Sequence, residues 1–172
     1  MGSDAHYELF QGELVWVPYV TPWSNQFTQY LAFSLYRHVK EHDLGMVLFG
    51  DPGFTIETNP DTVVAPDIAF VEKACVPEQI DEDDYLALVP NLIVEVASAT
   101  DDPDHIQRKR ETFDRVGVPL LWWIDSLERT ATVHAYGRLI ATLERSGVLD
   151  PGSLVPGFLM PLEELFSKSV RH

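Results

Sequence analysis

The stretch Leu92–Ala97, LIVEVA, has the composition of a β-strand packed on both faces, and it carries one carboxylate, Glu95. Taking an unpaired carboxylate out of water is costly, so Glu95 is expected to be protonated, paired with a cation or bound to a metal ion. A second apolar run, 63–71, also contains a single acid, Asp67, beside Pro66. Two neighbouring strands of this kind can bring their acids together.

The bulk composition indicates a globular protein with an acidic surface. The chain has 172 residues, 45% of them hydrophobic and 11% aromatic, which fits a single domain over residues 1–172. Its formal net charge of −15 opposes long-range attraction to nucleic acid, although a local basic patch can still bind it. No apolar run approaches the length of about twenty residues that a helix needs to span a bilayer. The start of the sequence has no signal-peptide pattern. We therefore expect a cytoplasmic protein that does not enter the membrane.

Hydrophobic periodicity and turn residues predict alternating strands and helices. The expected elements are a β-hairpin over 7–17 at one sheet edge, a helix over 24–41 with Ser24 as N-cap, strands over 46–49, 54–57, 63–71 and 92–97, a helix over 105–116, strands over 120–124, 131–136 and 139–143, and a short helix over 162–166. The acidic segment 72–88 is expected to be an irregular, solvated loop.

The helix predicted after the Glu95 strand places a lysine on its apolar face. Ile106, Lys109, Phe113 and Val116 are spaced by three, four and three residues, so they lie within about 80° of arc on an ideal helix. The Lys109 ammonium is therefore expected to point toward the sheet. Snorkelling of this side chain to solvent is the alternative.

Two carboxylates from neighbouring strands, with a lysine beside them, are the groups that phosphodiester hydrolysis requires. The oxygens of Asp67 and Glu95 suit Mg²⁺ or Mn²⁺, and strand carbonyl groups can complete the coordination. Lys109 can position or deprotonate water, or stabilise negative charge in the transition state. A buried salt bridge among these three residues is the alternative without catalysis.

The order of these residues resembles the PD-(D/E)XK, or restriction-endonuclease-like, nuclease superfamily. The segments 65–71, 90–98, 109–113 and 117–125 are more narrowly similar to the bacterial Uma-two family of putative restriction endonucleases, and the similarity runs from the hairpin to about Pro156. The resemblance implies an α/β (α+β) fold with a restriction-endonuclease-like core, in which helices flank a mixed central β-sheet and a β-hairpin lies at the N-terminus.

The same resemblance implies a Mg²⁺- or Mn²⁺-dependent endonuclease that hydrolyses DNA and forms a homodimer. Asp67 and Glu95 would be metal ligands together with the backbone carbonyl of Val96, and Lys109 would be the catalytic lysine. The motif's lysine usually stands at the position of Ala97, so the resemblance requires Lys109 to act from the helix instead.

A second departure concerns the predicted first helix. Many superfamily nucleases carry a further glutamate there, but no acid occurs from 25 through 40. Gln26 or Gln29 is the available, weaker substitute.

The residues alone also leave alternatives to the nuclease open. A degenerate nuclease core can serve as an acidic interaction module, or a carboxylate pair can hydrolyse glycosides. For the nuclease, the basic cluster of Arg108, Lys109, Arg110 and Arg115 is the expected local attraction for DNA. His38 and His42 have a spacing that can bind zinc, but solvated histidines at a helix end are favoured.

Overall fold

The structure, a computed structural model, describes residues 6–80 and 83–167. Its elements, in chain order, are β1 (His6–Phe10), β2 (Glu13–Val17), α1 (Pro22–Glu41), β3 (Gly45–Phe49), β4 (Phe54–Glu57), β5 (Thr62–Val64), β6 (Ile68–Glu72), β7 (Leu92–Ala97), α2 (Pro103–Val116), β8 (Leu120–Asp125), β9 (Thr130–Ala135), β10 (Arg138–Leu143), β11 (Val148–Leu149), β12 (Met160–Pro161) and α3 (Leu162–Ser167).

The strand that carries Glu95 lies inside a six-stranded mixed sheet of order β10-β9-β8-β7-β6-β3. β7 runs parallel to β8 and antiparallel to β6, and α2 is the crossover between the two parallel strands. Both faces of β7 are covered, which explains why its sequence is apolar throughout instead of alternating. The predicted α+β fold, a mixed sheet flanked by helices, is confirmed.

The N-terminal hairpin lies at a sheet edge, as predicted, but not in this six-stranded sheet. Instead, β1 and β2 join β5 and β4 in a separate sheet of order β2-β1-β5-β4, where Leu9 pairs with Val63. The predicted single strand over 63–71 is correspondingly wrong, because it is divided between the two sheets. Pro66 lies at the division; it has no N–H for a strand ladder, and it restricts the residue before it.

Helices cover the two faces of the large sheet and create two hydrophobic cores. α1 packs on one face, where Phe27 and Leu35 share a core with Val94. On the other face, Phe113 of α2 shares a core with Ile93 and with residues of the small sheet. Because side chains alternate along a strand, Glu95 lies on the α2 side of the sheet.

The helix ends follow local capping rules, with one correction. α1 begins earlier than predicted: Thr21 is its N-cap and accepts a hydrogen bond from the Ser24 N–H at 3.2 Å. Ser24 instead lies buried in the first turn. α2 begins after Asp102, which caps it through the Asp104 N–H, and ends at Gly117 in the left-handed conformation (φ 68°).

The acidic segment 72–88 has little regular structure. It contains a short 3-10 helix, Lys73–Cys75, and Cys75 is exposed. Asp81 and Glu82 lie outside the described residues. Over 6–80 and 83–167, no helix combines the length and the apolar character that crossing a bilayer requires.

Candidate active site

Lys109 is buried, and its ammonium lies between two carboxylates. The residue is 6% exposed, and its Nζ atom lies 2.8 Å from Glu95 Oε1 and 3.1 Å from Glu8 Oε1. The apolar face of α2 therefore directs the lysine inward, as its spacing predicts, and the side chain does not reach solvent.

Asp67 lies beside this ion pair, at the entrance to β6. The last antiparallel pair between β6 and β7 is Ile68 with Val94, so one further step of the register places Asp67 opposite Glu95, where side chains are neighbours. Asp67 Oδ2 accepts a hydrogen bond from the Val96 N–H at 2.7 Å. The predicted residues thus come together in one cavity, here called the carboxylate pocket, which is lined by Glu8, Asp67, Glu95, Val96, His105 and Lys109 among others.

Glu8 is the residue that the sequence analysis missed. It is 3% exposed; its Oε1 accepts a hydrogen bond from the Ala65 N–H at 2.8 Å, and its Oε2 lies 3.0 Å from His105 Nε2. The alternation in β1 contains the signal, because Glu8 shares a face with the buried Phe10. A charge on the buried face of a hairpin is as anomalous as Glu95 in its strand.

The further acid of the pocket therefore does not come from the first helix. α1 packs on the face of the sheet opposite to α2, and neither Gln26 nor Gln29 lines the carboxylate pocket. The small sheet supplies a glutamate from β1 instead.

Three acids share a single lysine in this pocket, and their pKa values diverge. Burial alone would raise the pKa of Glu8, but the Lys109 charge and hydrogen bonds from His105 and the Ala65 N–H outweigh it and lower the pKa to about 2. Burial dominates at Asp67 and raises its pKa to about 6. Burial also raises the pKa of Glu95 well above its usual value, against the attraction of Lys109.

Lys109 remains charged in this environment. Burial acts to lower the pKa of Lys109, but the charges of Glu8 and Glu95 outweigh that effect and raise the pKa above its ordinary value. The group is therefore an ammonium at neutral pH in the metal-free protein. It can orient a water molecule or stabilise negative charge, whereas acting as a base requires it first to lose its proton.

The basic cluster expected to attract DNA is engaged within the protein. Arg108 pairs with Glu13 at 2.8 Å and Arg115 with Glu57 at 2.7 Å, and both contacts fasten α2 to the small sheet. The Arg110 guanidinium lies 4.6 Å from the centre of a tryptophan ring in β8. These arginines are therefore paired or stacked within the protein, and their attraction for DNA stays a prediction.

Polar residues at the ends of strands and helices outside the carboxylate pocket have partners within the protein. Asp125 accepts hydrogen bonds from two N–H groups of the turn after β8. Ser98 bonds to Asp101 at the end of β7. His38 donates to a backbone carbonyl at 2.9 Å and stacks on His42, so this pair closes a helix end.

Comparison with known families identifies the chain. A family model described as "Uma2: Putative restriction endonuclease" matches residues 1–163. The chain belongs to the Uma2 family. No curated protein gives a sequence match. A solved structure of a putative nuclease belonging to DUF820, from Anabaena variabilis ATCC 29413, is similar over 94% of this chain and 89% of that chain, with 17% identity and a TM-score of 0.77; at that identity the likeness shows the fold.

Nucleases of the restriction-endonuclease type are typically metal-dependent, and the Uma2 pocket has a donor set that fits a hard divalent cation. Within the part of the chain that the structure describes, no three His, Cys, Asp or Glu side chains form a cluster that could hold a metal ion by themselves. Mg²⁺ usually binds through only one or two carboxylates and keeps several waters. Asp67 and Glu95 supply that number of carboxylates, and the excess of acids over lysines in the pocket favours a cation.

Proposed function

We propose that this Uma2 protein is a Mg²⁺- or Mn²⁺-dependent endonuclease that hydrolyses the phosphodiester bonds of DNA. The observation that carries the proposal is the convergence of Glu8, Asp67 and Glu95 on the charged Lys109 inside one pocket. Membership of a family described as putative restriction endonucleases supports nuclease chemistry in general. The metal, the DNA substrate and the roles of the residues are our proposal.

Asp67 and Glu95, with the backbone carbonyl of Val96, would hold the cation. When bound, a divalent cation supplies Lewis acidity and neutralises charge on the reacting phosphate. Because the pKa values of Asp67 and Glu95 are raised, both carboxylates must give up any bound proton before they can serve as ligands.

Lys109 would act on the phosphate and the attacking water. Its ammonium can orient the water and compensate the negative charge that develops in the transition state. Glu8 is a positioning residue in this scheme, because it holds the lysine at 3.1 Å while His105 and the Ala65 N–H hold Glu8 in turn.

Cleavage of DNA tests the proposal. Purified protein is expected to cut DNA, supplied as single strands and as linear and plasmid duplex, with Mn²⁺ or Mg²⁺ and to stop in EDTA, and Glu95→Gln and Lys109→Ala are expected to be inactive. Glu13→Gln is the matched control, because Glu13 is an exposed acid of the same hairpin that pairs with Arg108 outside the pocket. Uncut DNA in both metals, or full activity in either pocket variant, would refute the mechanism.

Calorimetry separates the nuclease from the interaction module considered above. The nuclease requires Mn²⁺ binding that disappears in Asp67→Ala, whereas the module requires none. Absence of site-specific binding in the wild type would favour the module.

We also propose that residues 1–172 form one domain and that the protein works in the cytoplasm. From the family resemblance we propose that the protein forms a homodimer. Sedimentation equilibrium tests the homodimer: the expected species has twice the 19.5 kDa chain mass, and a monomer at micromolar concentration would contradict it.

A further inference from the structure

A second groove opens beside the carboxylate pocket and shares three of its wall residues, His6, Asp51 and Ala65. Two tyrosines line the part of this groove that lies outside the pocket: Tyr7 is 54% exposed and Tyr85 is 60% exposed. We call this the tyrosine groove. The groove and the pocket adjoin at these three residues, and we call the two cavities together the path to the proposed site of hydrolysis.

The two tyrosines of the groove come from different segments of the chain. Tyr7 precedes Glu8 in β1, so its side chain points to the outer face of the hairpin while Glu8 points into the pocket. Tyr85 lies against the backbone at Gly53, so closely that a side-chain carbon added to this glycine would be 2.2 Å from the ring. Tyr19, 68% exposed, lines the carboxylate pocket itself.

The walls of this path offer little attraction to a phosphate backbone, whether single-stranded or duplex, so affinity must come from contacts to the bases. Among the described residues that line the pocket and the groove, Lys109 is the only lysine or arginine, and it faces Glu8 and Glu95. Asp51 and Asp101 add negative charge to the walls. Duplex affinity depends largely on cations that neutralise phosphates, and the arginines of α2 are already paired or stacked.

We propose that the substrate strand enters this path as single-stranded DNA, with successive bases stacked on Tyr7 and Tyr85 and the scissile phosphate carried past Tyr19 into the carboxylate pocket. The proposal rests on the proposed nuclease function of the same site. Bases of a single strand expose their faces, so aromatic side chains can supply the affinity that the acidic walls do not, and stacking tolerates any sequence. The bases of an intact duplex are stacked on one another and cannot reach the tyrosines.

Fluorescence anisotropy with the full chain tests the inference independently of cleavage. The probes are a fluorescein-labelled mixed-sequence 12-nucleotide DNA strand, its duplex, an abasic strand with the same phosphates, and the RNA strand of the same sequence, each measured in EDTA and in Ca²⁺. We expect the DNA strand to bind at least tenfold more tightly than the duplex and the abasic strand. Tyr7→Ala and Tyr85→Ala are each expected to raise Kd about tenfold.

Conservative and distant variants separate stacking from stability. Tyr7→Phe and Tyr85→Phe keep the ring and are expected to bind like the wild type. Tyr36→Ala removes a half-exposed tyrosine from α1, outside both cavities, and is expected to change nothing. If thermal melting shows that Tyr85→Ala is unfolded, Tyr7→Ala and the two phenylalanine variants still decide the question.

Three results would overturn the inference: equal or tighter binding of the duplex, equal binding of the abasic strand, or unchanged Kd in a folded Tyr7→Ala variant. Tighter binding of the RNA strand would overturn the assignment to DNA. Tyrosine-dependent binding without any Mn²⁺-dependent cleavage would refute only the nuclease proposal. Cleavage of the duplex at equal rates by the wild type and the Tyr7→Ala and Tyr85→Ala variants would refute only the single-strand inference.

Discussion

Replacement of Glu8 by glutamine removes a buried negative charge and leaves a side chain of nearly the same size. The fold lowers the pKa of Glu8 from its ordinary 4.5 to about 2. Since one pKa unit corresponds to about 1.4 kcal/mol, the ionised side chain stabilises the folded state by about 3 kcal/mol at neutral pH. Glu8→Gln is therefore expected to lower the free energy of unfolding by that amount, or the Tm by roughly 6–12 °C for a chain of this size.

The difference in stability between the wild type and Glu8→Gln is expected to depend on pH. A carboxyl with a lowered folded-state pKa contributes stability above its unfolded pKa of 4.5 and loses it as the pH falls toward the folded value of about 2. The difference between wild type and Glu8→Gln is therefore expected to be constant above about pH 5.5 and to fall below half its neutral value by pH 3.

Urea unfolding followed by circular dichroism in EDTA measures both quantities. Glu13→Gln is the control, because the side chains of Glu13 and Arg108 are 70% and 42% exposed; an exposed pair of this kind is worth less than about 1 kcal/mol. A Glu8→Gln variant as stable as Glu13→Gln at pH 7, or a difference that does not shrink toward pH 3, would refute the reasoning about the buried cluster.

Three further predictions concern the other charges of the pocket. Glu95→Gln is expected to raise the Tm of the metal-free protein at pH 7 while cleavage is lost, because burial raises the pKa of Glu95 and makes its ionised form costly; a lower Tm would contradict this. Lys109→Met is expected to lose about 3–5 kcal/mol of stability in urea unfolding, since it leaves buried acids without their cation; a loss below 1 kcal/mol would count against it. The fold raises the pKa of Asp67 from 3.8 to about 6 and so favours its protonated form. The free energy of unfolding of Asp67→Asn is therefore expected to rise by up to about 3 kcal/mol relative to the wild type as the pH increases from 4 to 7, and a pH-independent difference would contradict the assigned shift. The Mn²⁺ affinity of the wild type is expected to fall below pH 6.

The part of the site on β7 and α2 could be predicted because its signals are local. One acid in an apolar strand and one lysine on the apolar face of the next helix both violate the patterning around them, and a parallel pair of strands with a crossover helix brings such residues together. Asp67 could be predicted in the same way, because it is the single acid in the apolar run 63–71, even though that run is divided between two sheets.

The missed part depends on contacts between distant segments. The alternation in β1 places Glu8 on a buried face, but its place in this pocket depends on the pairing of β1 with β5 through Leu9 and Val63, which a single sequence does not show. The partners of the basic cluster of α2 could not be predicted for a related reason: Glu13 and Glu57, which pair with Arg108 and Arg115, come from the small sheet. Helix spacing shows where an arginine points but not which acid lies opposite it.

A Mn²⁺-soaked crystal measures the central claim most directly. The anomalous difference map is expected to contain a peak within coordination distance of carboxylate oxygens of both Asp67 and Glu95, with the Lys109 amine beside it, and no such peak in crystals of Asp67→Ala. A soaked wild-type crystal with no peak between these carboxylates, or with Mn²⁺ bound only elsewhere, would contradict the proposed metal-dependent site.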